Sequence, residues 1–228
     1  MTARVFCAID TPDLDQSIQL VRNLSAVPLH FKLGLEFFTA QGLAGVEKIR
    51  AVAGDRAEIF LDLKLHDIPN TVVGAVSSAL CGKPQFLTIH ASGGAAMMKA
   101  AVAAAEKKTK ILAVTVLTNL DDNDLSAIGQ ATPAADQVLR LARLAQDSGV
   151  DGIVCSPHEI KILRQNLGRN FLLVVPGIRP SGSAQGDQKR TMTPKEALDL
   201  GASYLVIGRP ITAAADPLAA AKTILDMK

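Results

Sequence analysis

Acidic and basic side chains alternate within a short segment, LDLKLHDIPNT, at residues 61–71. The side chains of a β-strand alternate between two faces, so Phe60, Asp62 and Lys64 are expected on one face and leucines on the other. A buried ion without a partner is costly, and buried ion pairs rarely stabilise a fold better than apolar packing does. These charges are therefore expected to serve a function, since fixed ammonium and carboxylate groups can transfer a proton or stabilise developing charge.

Other charged residues stand where neighbouring strands are predicted to end. Asp10 closes the first strand-like run, Lys32 lies in the second, and Asp67 follows the third. Adjacent strands lie roughly 4.8 Å apart, so Asp10 and Lys32 are expected to meet Asp62 and Lys64 at one sector of a rim, with Asp67 in the loop that follows. With three acids and two lysines, the group is close to neutral and suits an alternating network. For any single member, a structural salt bridge or simple exposure is an alternative interpretation.

A second group follows the seventh and eighth predicted strands, in PGIRP at 176–180 and IGRP at 207–210. Loops in these positions of an α/β barrel commonly bind phosphate through backbone N–H groups, a glycine and a nearby cation. Gly208 and Arg209 fit that role, and Arg179 is a second candidate cation. Taken alone, Gly208 is equally compatible with a tight turn.

The longest irregular stretch, RPSGSAQGDQKRT at residues 179–191, follows the seventh strand and contains Gln188. Its glycines, small polar residues and charges are typical of a loop that closes over a site, although a plain surface loop has a similar composition. We therefore expect a lid beside the candidate phosphate-binding residues.

The order of strand-like and helix-like segments predicts how these residues are positioned. Strand-like runs span residues 4–10, 31–34, 58–64, 86–91, 110–117, 152–156, 171–177 and 204–209. Helix-like segments span residues 13–24, 36–52, 69–81, 94–107, 134–148, 158–166, 194–200 and 216–227. Eight alternating pairs in 228 residues predict the α/β class and a closed (β/α)8 TIM barrel, with an open doubly wound sheet as the alternative.

Composition argues against several other classes of protein. No linker or low-complexity tract divides residues 1–228, so a single barrel domain is expected. Lys and Arg number 24 against 22 acidic residues, which gives no reason to expect nucleic acid or a membrane as partner. The three cysteines form no CxxC pair and we predict no metal site. With no room for a signal peptide and no membrane-length apolar run, a cytoplasmic location is expected.

Eight motifs together resemble one enzyme family. They are AID at 8–10, FKLG at 31–34, LDLKLHDIPNT at 61–71, IHASGG at 89–94, VTVLT at 114–118, PGIRP at 176–180, GDQ in the predicted lid and IGRPI at 207–211. In this order, and over nearly the whole chain, they resemble the orotidine 5′-monophosphate decarboxylases of the bacterial type. The DxKxxD pattern is shared with sugar-phosphate decarboxylases and aldolases of the same suprafamily, whereas HDIPNT and the RP…GDQ lid favour the nucleotide enzyme.

The resemblance implies a homodimeric barrel that converts orotidine 5′-monophosphate to uridine 5′-monophosphate and carbon dioxide in pyrimidine biosynthesis, without metal or organic cofactor. The implied catalytic residues are Lys32, Asp62, Lys64 and Asp67. The implied substrate-binding residues are Asp10 at the ribose, Thr118 at the pyrimidine ring, Gln188 in the lid, Arg179, Gly208 and Arg209 at the phosphate, and Thr71. Asp67 and Thr71 would complete the active site of the partner subunit.

Two other functions are compatible with the residues. A metal-dependent sugar-phosphate decarboxylase or aldolase would use the same acids to bind Mg²⁺ and an enediolate. A non-catalytic phosphate- or nucleotide-binding barrel would use the charges only as a salt-bridge network. The intact alternation of lysine and aspartate argues against the second of these.

Overall fold

The chain folds as a closed barrel of eight parallel strands. The computed structural model describes residues 4–180 and 191–226. Strands β1 to β8 span Val5–Ile9, His30–Gly34, Ile59–Leu65, Phe86–His90, Lys110–Val114, Gly152–Val154, Leu172–Val175 and Tyr204–Ile207. They neighbour one another in chain order, and β1 pairs with β8. The predicted barrel is therefore confirmed, and the open doubly wound sheet is wrong.

Helices surround the barrel and pack their buried faces against it. In the described residues, helices α1 to α10 span Leu14–Leu24, Leu35–Ala53, Pro69–Ala79, Gly94–Ala105, Asp122–Ala127, Ala134–Asp147, Ile160–Leu167, Pro194–Asp199, Arg209–Thr212 and Pro217–Asp226. The sequence pattern does not predict the short helices α5 and α9. Because α9 begins at Arg209, strand β8 is shorter than the predicted run. Within the ranges that the structure describes, none of the helices combines the length and the apolar character needed to span a bilayer.

Local sequence signals explain several of these elements. Helix α6 buries Val138, Leu141 and Ala145, which recur at the three- and four-residue spacing of one helix face. At the start of α8, the hydroxyl of Thr193 accepts a hydrogen bond from the N–H of Glu196, and the Glu196 carboxylate accepts one from the N–H of Thr193. Helix α6 therefore presents an apolar face to the barrel. Helix α8 begins where side-chain oxygens accept hydrogen bonds from backbone N–H groups.

Aromatic rings fill the half of the barrel interior that is nearer the amino ends of the strands. The side chains of Phe6, Phe60, Phe86 and Tyr204, named here the aromatic layer, have contacting ring centroids between 5.2 and 6.1 Å apart. The three phenylalanines are buried, and tilted or edge-on rings at such distances attract one another. Room for a site inside the barrel is therefore expected at the carboxyl ends of the strands, where barrels of this kind carry their active sites.

Candidate active site

Four charged side chains meet at the carboxyl ends of β1, β2 and β3. The Nζ atom of Lys32 lies 3.2 Å from Oδ1 of Asp10 and 3.5 Å from Oδ2 of Asp62. The Nζ atom of Lys64 lies 2.8 Å from Oδ1 of Asp62. These four residues, named here the ionic array, alternate in sign from Asp10 to Lys64. The structure therefore brings together the four residues that the strand pattern places at one sector of the rim.

The middle of the ionic array is buried. The side chains of Lys32 and Asp62 are 10% and 13% exposed, whereas those of Lys64 and Asp10 are 28% and 54% exposed. Burial alone would lower the pKa of Lys32, but the carboxylates of Asp62 and Asp10 outweigh it, so the pKa is raised. Burial alone would raise the pKa of Asp62, but the charges of Lys32 and Lys64 lower it below its ordinary value. Lys32 and Asp62 are therefore both charged at neutral pH.

The backbone of Lys64 departs from a regular strand. Its φ angle is +50°, in the left-handed region that residues with a Cβ rarely adopt, at a cost of about 1–2 kcal/mol. Around it, β3 pairs with β4 through Leu61 and Leu87 and next through Leu65 and Ile89, which is four residue steps on β3 against two on β4. This is a bulge. The alternating pattern does not predict it, although Phe60, Asp62 and Lys64 do share a face, since all three line one cavity.

The ionic array borders a cavity of about 210 Å³. Lys32, Asp62 and Lys64 line it together with Thr118, and most of the other lining residues are apolar, among them Phe60, Val114, Val154, Pro176 and Val206. A largely apolar cavity with a few convergent polar groups is the usual form of a small-molecule site. In such surroundings a fixed charge acts more strongly on a bound group than it would in water.

Two residues of this site are not among the predicted ones. A Cβ atom at Gly34 would lie 3.0 Å from Nζ of Lys32 and 3.2 Å from Oδ1 of Asp10, so glycine leaves the room that this ion pair occupies. Thr88, in β4, hydrogen-bonds to two members of the ionic array. Sequence features could have pointed to both residues. Thr88 is a polar residue among apolar ones in the strand that follows β3, and Gly34 comes two residues after Lys32.

Asp67 and Thr71 lie outside the ionic array of this chain. Both are exposed, and the Asp67 carboxylate accepts a hydrogen bond from the N–H of Ile68 at 2.6 Å. Within residues 4–180 and 191–226, Asp67 forms no ion pair with Lys32 or Lys64, because it lies beyond the end of β3 in the connection to α3. The ionic array of one chain therefore holds two acids and two lysines, one acid fewer than the strand pattern suggests.

The predicted phosphate-binding residues follow β7 and β8. Gly208 lies beside the ionic array, since a Cβ atom there would be 3.8 Å from Oδ2 of Asp10. Arg209 begins the short helix α9. Burial and then the positive charge of Arg209 lower the pKa of Arg179. Two cations that follow β7 and β8 at this end of a barrel are suited to bind an anion.

The two ends of the predicted lid are joined by the backbone. The N–H of Arg179 donates to the carbonyl oxygen of Met192 at 2.9 Å, and Ile178 and Met192 form a parallel bridge. Gln188 and the rest of residues 181–190 lie outside the described residues. The closing motion of this loop therefore stays a prediction.

Two larger clefts lie at the opposite end of the barrel. One, of about 530 Å³, is lined in part by Arg164, and the other, of about 770 Å³, lies beside the start of β2. The guanidinium of Arg164 donates hydrogen bonds to the carbonyl oxygens of Gly168, Phe171 and Gly201. It therefore holds neighbouring chain segments together, and neither cleft includes a member of the ionic array.

The chain is a closed (β/α)8 barrel with a partly buried lysine–aspartate array beside a small cavity at the carboxyl ends of its strands. This is the arrangement of a barrel enzyme. The model of one protein family, described as "Orotidine 5'-phosphate decarboxylase / HUMPS family", matches residues 3–224. The chain belongs to this family.

Individual relatives are similar over nearly their whole length. The orotidine 5′-phosphate decarboxylase of Novosphingobium aromaticivorans is 51% identical over 224 residues, which cover 98% of each chain. That of Paramagnetospirillum magneticum is 52% identical and covers 96% of each chain. The crystal structure of orotidine 5′-phosphate decarboxylase from Lactobacillus acidophilus superposes with a TM-score of 0.86 at 38% identity, covering 99% of this chain and 98% of that chain.

Proposed function

We propose that this chain decarboxylates orotidine 5′-monophosphate, releasing carbon dioxide and forming uridine 5′-monophosphate in pyrimidine biosynthesis. The observation that carries the proposal is the ionic array at the cavity, in which Asp62 lies 2.8 Å from the ammonium of Lys64 and 3.5 Å from that of Lys32. Membership of the family and the names of the relatives supply the substrate class.

The chemical difficulty of this reaction is a localised electron pair. Loss of carbon dioxide from C6 of the pyrimidine leaves an sp² carbanion that cannot delocalise into a neighbouring carbonyl group. Fixed charges therefore have to stabilise it through their electric field. The ammonium of Lys64, which lines the cavity, would provide the nearest positive charge and then transfer one proton from Nζ to C6.

Asp62 would act on the carboxylate of the substrate. It lines the same cavity, so two negative charges would face each other in the bound ground state, and this repulsion disappears when neutral carbon dioxide leaves. The charges of Lys32 and Lys64 keep the pKa of Asp62 below its ordinary value despite burial. Lys32, in turn held by Asp10, would therefore keep Asp62 ionised and in place.

The remaining predicted residues would bind the rest of the nucleotide. We assign Asp10 to the ribose, Thr118 to the pyrimidine ring, Gln188 to both base and phosphate, and Arg179, Gly208 and Arg209 to the phosphate. Thr118 shares the cavity with the lysines, and Gly208 adjoins Asp10, which supports this order of groups. Binding of the phosphate would provide the free energy that closes residues 179–191 over the site and excludes water.

A homodimer would complete the site. In this proposal Asp67 and Thr71 of one subunit reach the active site of the other, which is supported by their exposure in the single chain. Ile68 between them is 67% exposed, and an exposed apolar side chain of this size suits a protein interface. The enzyme would work in the cytoplasm, where cysteine thiols stay reduced.

Release of labelled carbon dioxide from orotidine 5′-monophosphate, labelled in its carboxylate, tests the proposal. We expect the native enzyme to release the label together with an equal amount of uridine 5′-monophosphate, and to keep its activity after incubation with EDTA. No release above the uncatalysed background would refute the proposed function. Activity that EDTA abolishes and Mg²⁺ restores would refute the cofactor-free mechanism and favour the chemistry of the metal-dependent enzymes.

A further inference from the structure

The hydroxyl of Thr88 joins two members of the ionic array. Thr88 lies in the middle of β4 and is fully buried. Its Oγ1 accepts a hydrogen bond from the backbone N–H of Lys64 at 2.9 Å and donates one to Oδ1 of Asp62, also at 2.9 Å. One hydroxyl group therefore links the backbone of Lys64 to the carboxylate of Asp62, with which the Lys64 ammonium pairs.

Both hydrogen bonds occur where β3 is irregular. Lys64 has a φ of +50°, and the pairing of β3 with β4 shifts between Leu61 and Leu65. At a bulge a residue leaves the regular ladder of the sheet, and its N–H needs another acceptor. Thr88 is that acceptor, so the neighbouring strand holds Lys64 in its left-handed conformation.

The carboxylate of Asp62 depends on the same hydroxyl. Its Oδ1 faces Nζ of Lys64 at 2.8 Å and accepts the bond from Thr88, while its Oδ2 faces Nζ of Lys32 at 3.5 Å. Both lysine side chains are long and rotate about several bonds, whereas a buried threonine has one rotatable bond and little freedom. The threonine hydroxyl is therefore the most rigid of the side-chain groups that orient this carboxylate.

We propose that Thr88 is a positioning residue, which through these two hydrogen bonds sets the direction in which Lys64 and Asp62 face the cavity. The inference rests on the proposed function, because it concerns groups that are assigned to the decarboxylation. Thr88 is not among the described residues that line the cavity. It therefore acts on the reaction through its neighbours and not by contact with the substrate.

Thr88→Val tests the inference, because valine keeps the shape of the side chain and removes the hydroxyl. We expect kcat to fall about 10- to 100-fold, with KM changed by less than about threefold, because the array loses its alignment while the rest of the substrate site is intact. Thr88→Ser keeps the hydroxyl and should retain kcat within about threefold.

Thr109→Val is the matched control. Thr109 is also buried, but its Oγ1 has no hydrogen-bond partner in the part of the chain that the structure describes. It lies just before β5, at the opposite end of the barrel from the ionic array. The same exchange of hydroxyl for methyl should therefore leave both kcat and KM at native values.

Thermal unfolding of each variant separates a misaligned array from a damaged fold, and Thr88→Ala replaces Thr88→Val if the latter does not fold. The inference is overturned if the variant without the hydroxyl keeps the native kcat, if its loss only matches the fraction of unfolded protein, or if Thr88→Ser loses as much as Thr88→Val. Failure of the proposed function would appear in the native enzyme, as absence of carbon dioxide release, and the inference would fall with it.

Discussion

The interior of the barrel contains two layers, the aromatic layer and the ionic array. The same strands contribute to both layers, but different forces stabilise them. Phe60 and Asp62 are two residues apart on β3, yet Phe60 packs against Phe6 and Phe86, and Asp62 pairs with lysines. The aromatic layer is stabilised by buried area, which depends little on direction. The ionic array depends on the length and direction of each bond, so its members need neighbours that hold them in place.

This difference separates the residues that stabilise the fold from those assigned to the reaction. Large buried rings contribute strongly to the free energy of unfolding, whereas a buried ion pair is weak evidence of stability. Substitutions in the ionic array should therefore change turnover more than stability, and substitutions of rings in the aromatic layer that do not line the cavity should do the reverse.

Lys64→Ala is expected to have the largest effect and to act on turnover. It removes both the positive charge nearest the carbanion and the proton donor, so kcat should fall about 10³-fold or more. Asp62 keeps Lys32 and Thr88 as partners, so the unfolding free energy should change little. Steady-state assays and thermal unfolding measure the two effects. Lys64→Arg keeps the charge but moves the donor, and it should stay strongly impaired.

A loss of less than about tenfold in Lys64→Ala would contradict the assignment of Lys64 as the proton donor.

Phe86→Ala is the corresponding substitution in the aromatic layer. The ring contacts Phe6, Phe60 and Tyr204, and its removal should lower the unfolding free energy by about 3–5 kcal/mol. At a temperature where the variant is folded, kcat should stay within about threefold of native, because Phe86 is not among the described residues that line the cavity. Urea unfolding and steady-state assays measure both.

Ile128→Ala is the control for this variant, since Ile128 is 61% exposed and its truncation should cost less than about 1 kcal/mol. If Phe86→Ala lowered kcat as strongly as Lys64→Ala while folded, the separation of the two layers would be wrong.

Gly34→Ala should misalign the ionic array without breaking the fold. The backbone φ of Gly34 is −91°, which any residue can adopt, but the new Cβ would lie 3.0 Å from Nζ of Lys32. The ammonium has to move away, and we expect kcat/KM to fall about tenfold with little change in the unfolding free energy. Native kcat/KM in this variant would show that the alignment of Lys32 tolerates displacement.

Asp62→Asn should change how stability depends on pH. The folded chain holds the pKa of Asp62 below its ordinary value, so this carboxylate contributes stability above its unfolded pKa of about 4, and the contribution is lost as the pH falls through the lower folded pKa. Between about pH 6 and pH 3, urea unfolding should therefore show a smaller loss of stability in Asp62→Asn than in the native chain.

Asp199→Asn is the matched control for the pH series, because Asp199 pairs with Lys195 and both side chains are exposed. Its unfolding free energy should follow the native pH dependence. Equal pH dependence in Asp62→Asn and the native chain would contradict the electrostatic coupling within the ionic array.

The sequence by itself determined the barrel, the shared face of Asp62 and Lys64 on β3 and the meeting of these two residues with Asp10 and Lys32. Alternation along a strand is a local property, since every second side chain points the same way whatever the strand pairs with. Consecutive strands of such a barrel are also neighbours, so charges near the ends of the first three strands had to converge.

Only the tertiary structure decided the bulge at Lys64, the contacts of Thr88, the close approach at Gly34 and the position of Asp67 outside the array. Each of these depends on which residues face each other across two strands or where a strand ends. Register is set by packing throughout the barrel and by the closure of β8 onto β1. Local alternation therefore predicts which side of the strand a residue is on, whereas the partner it contacts across the sheet follows from the complete fold.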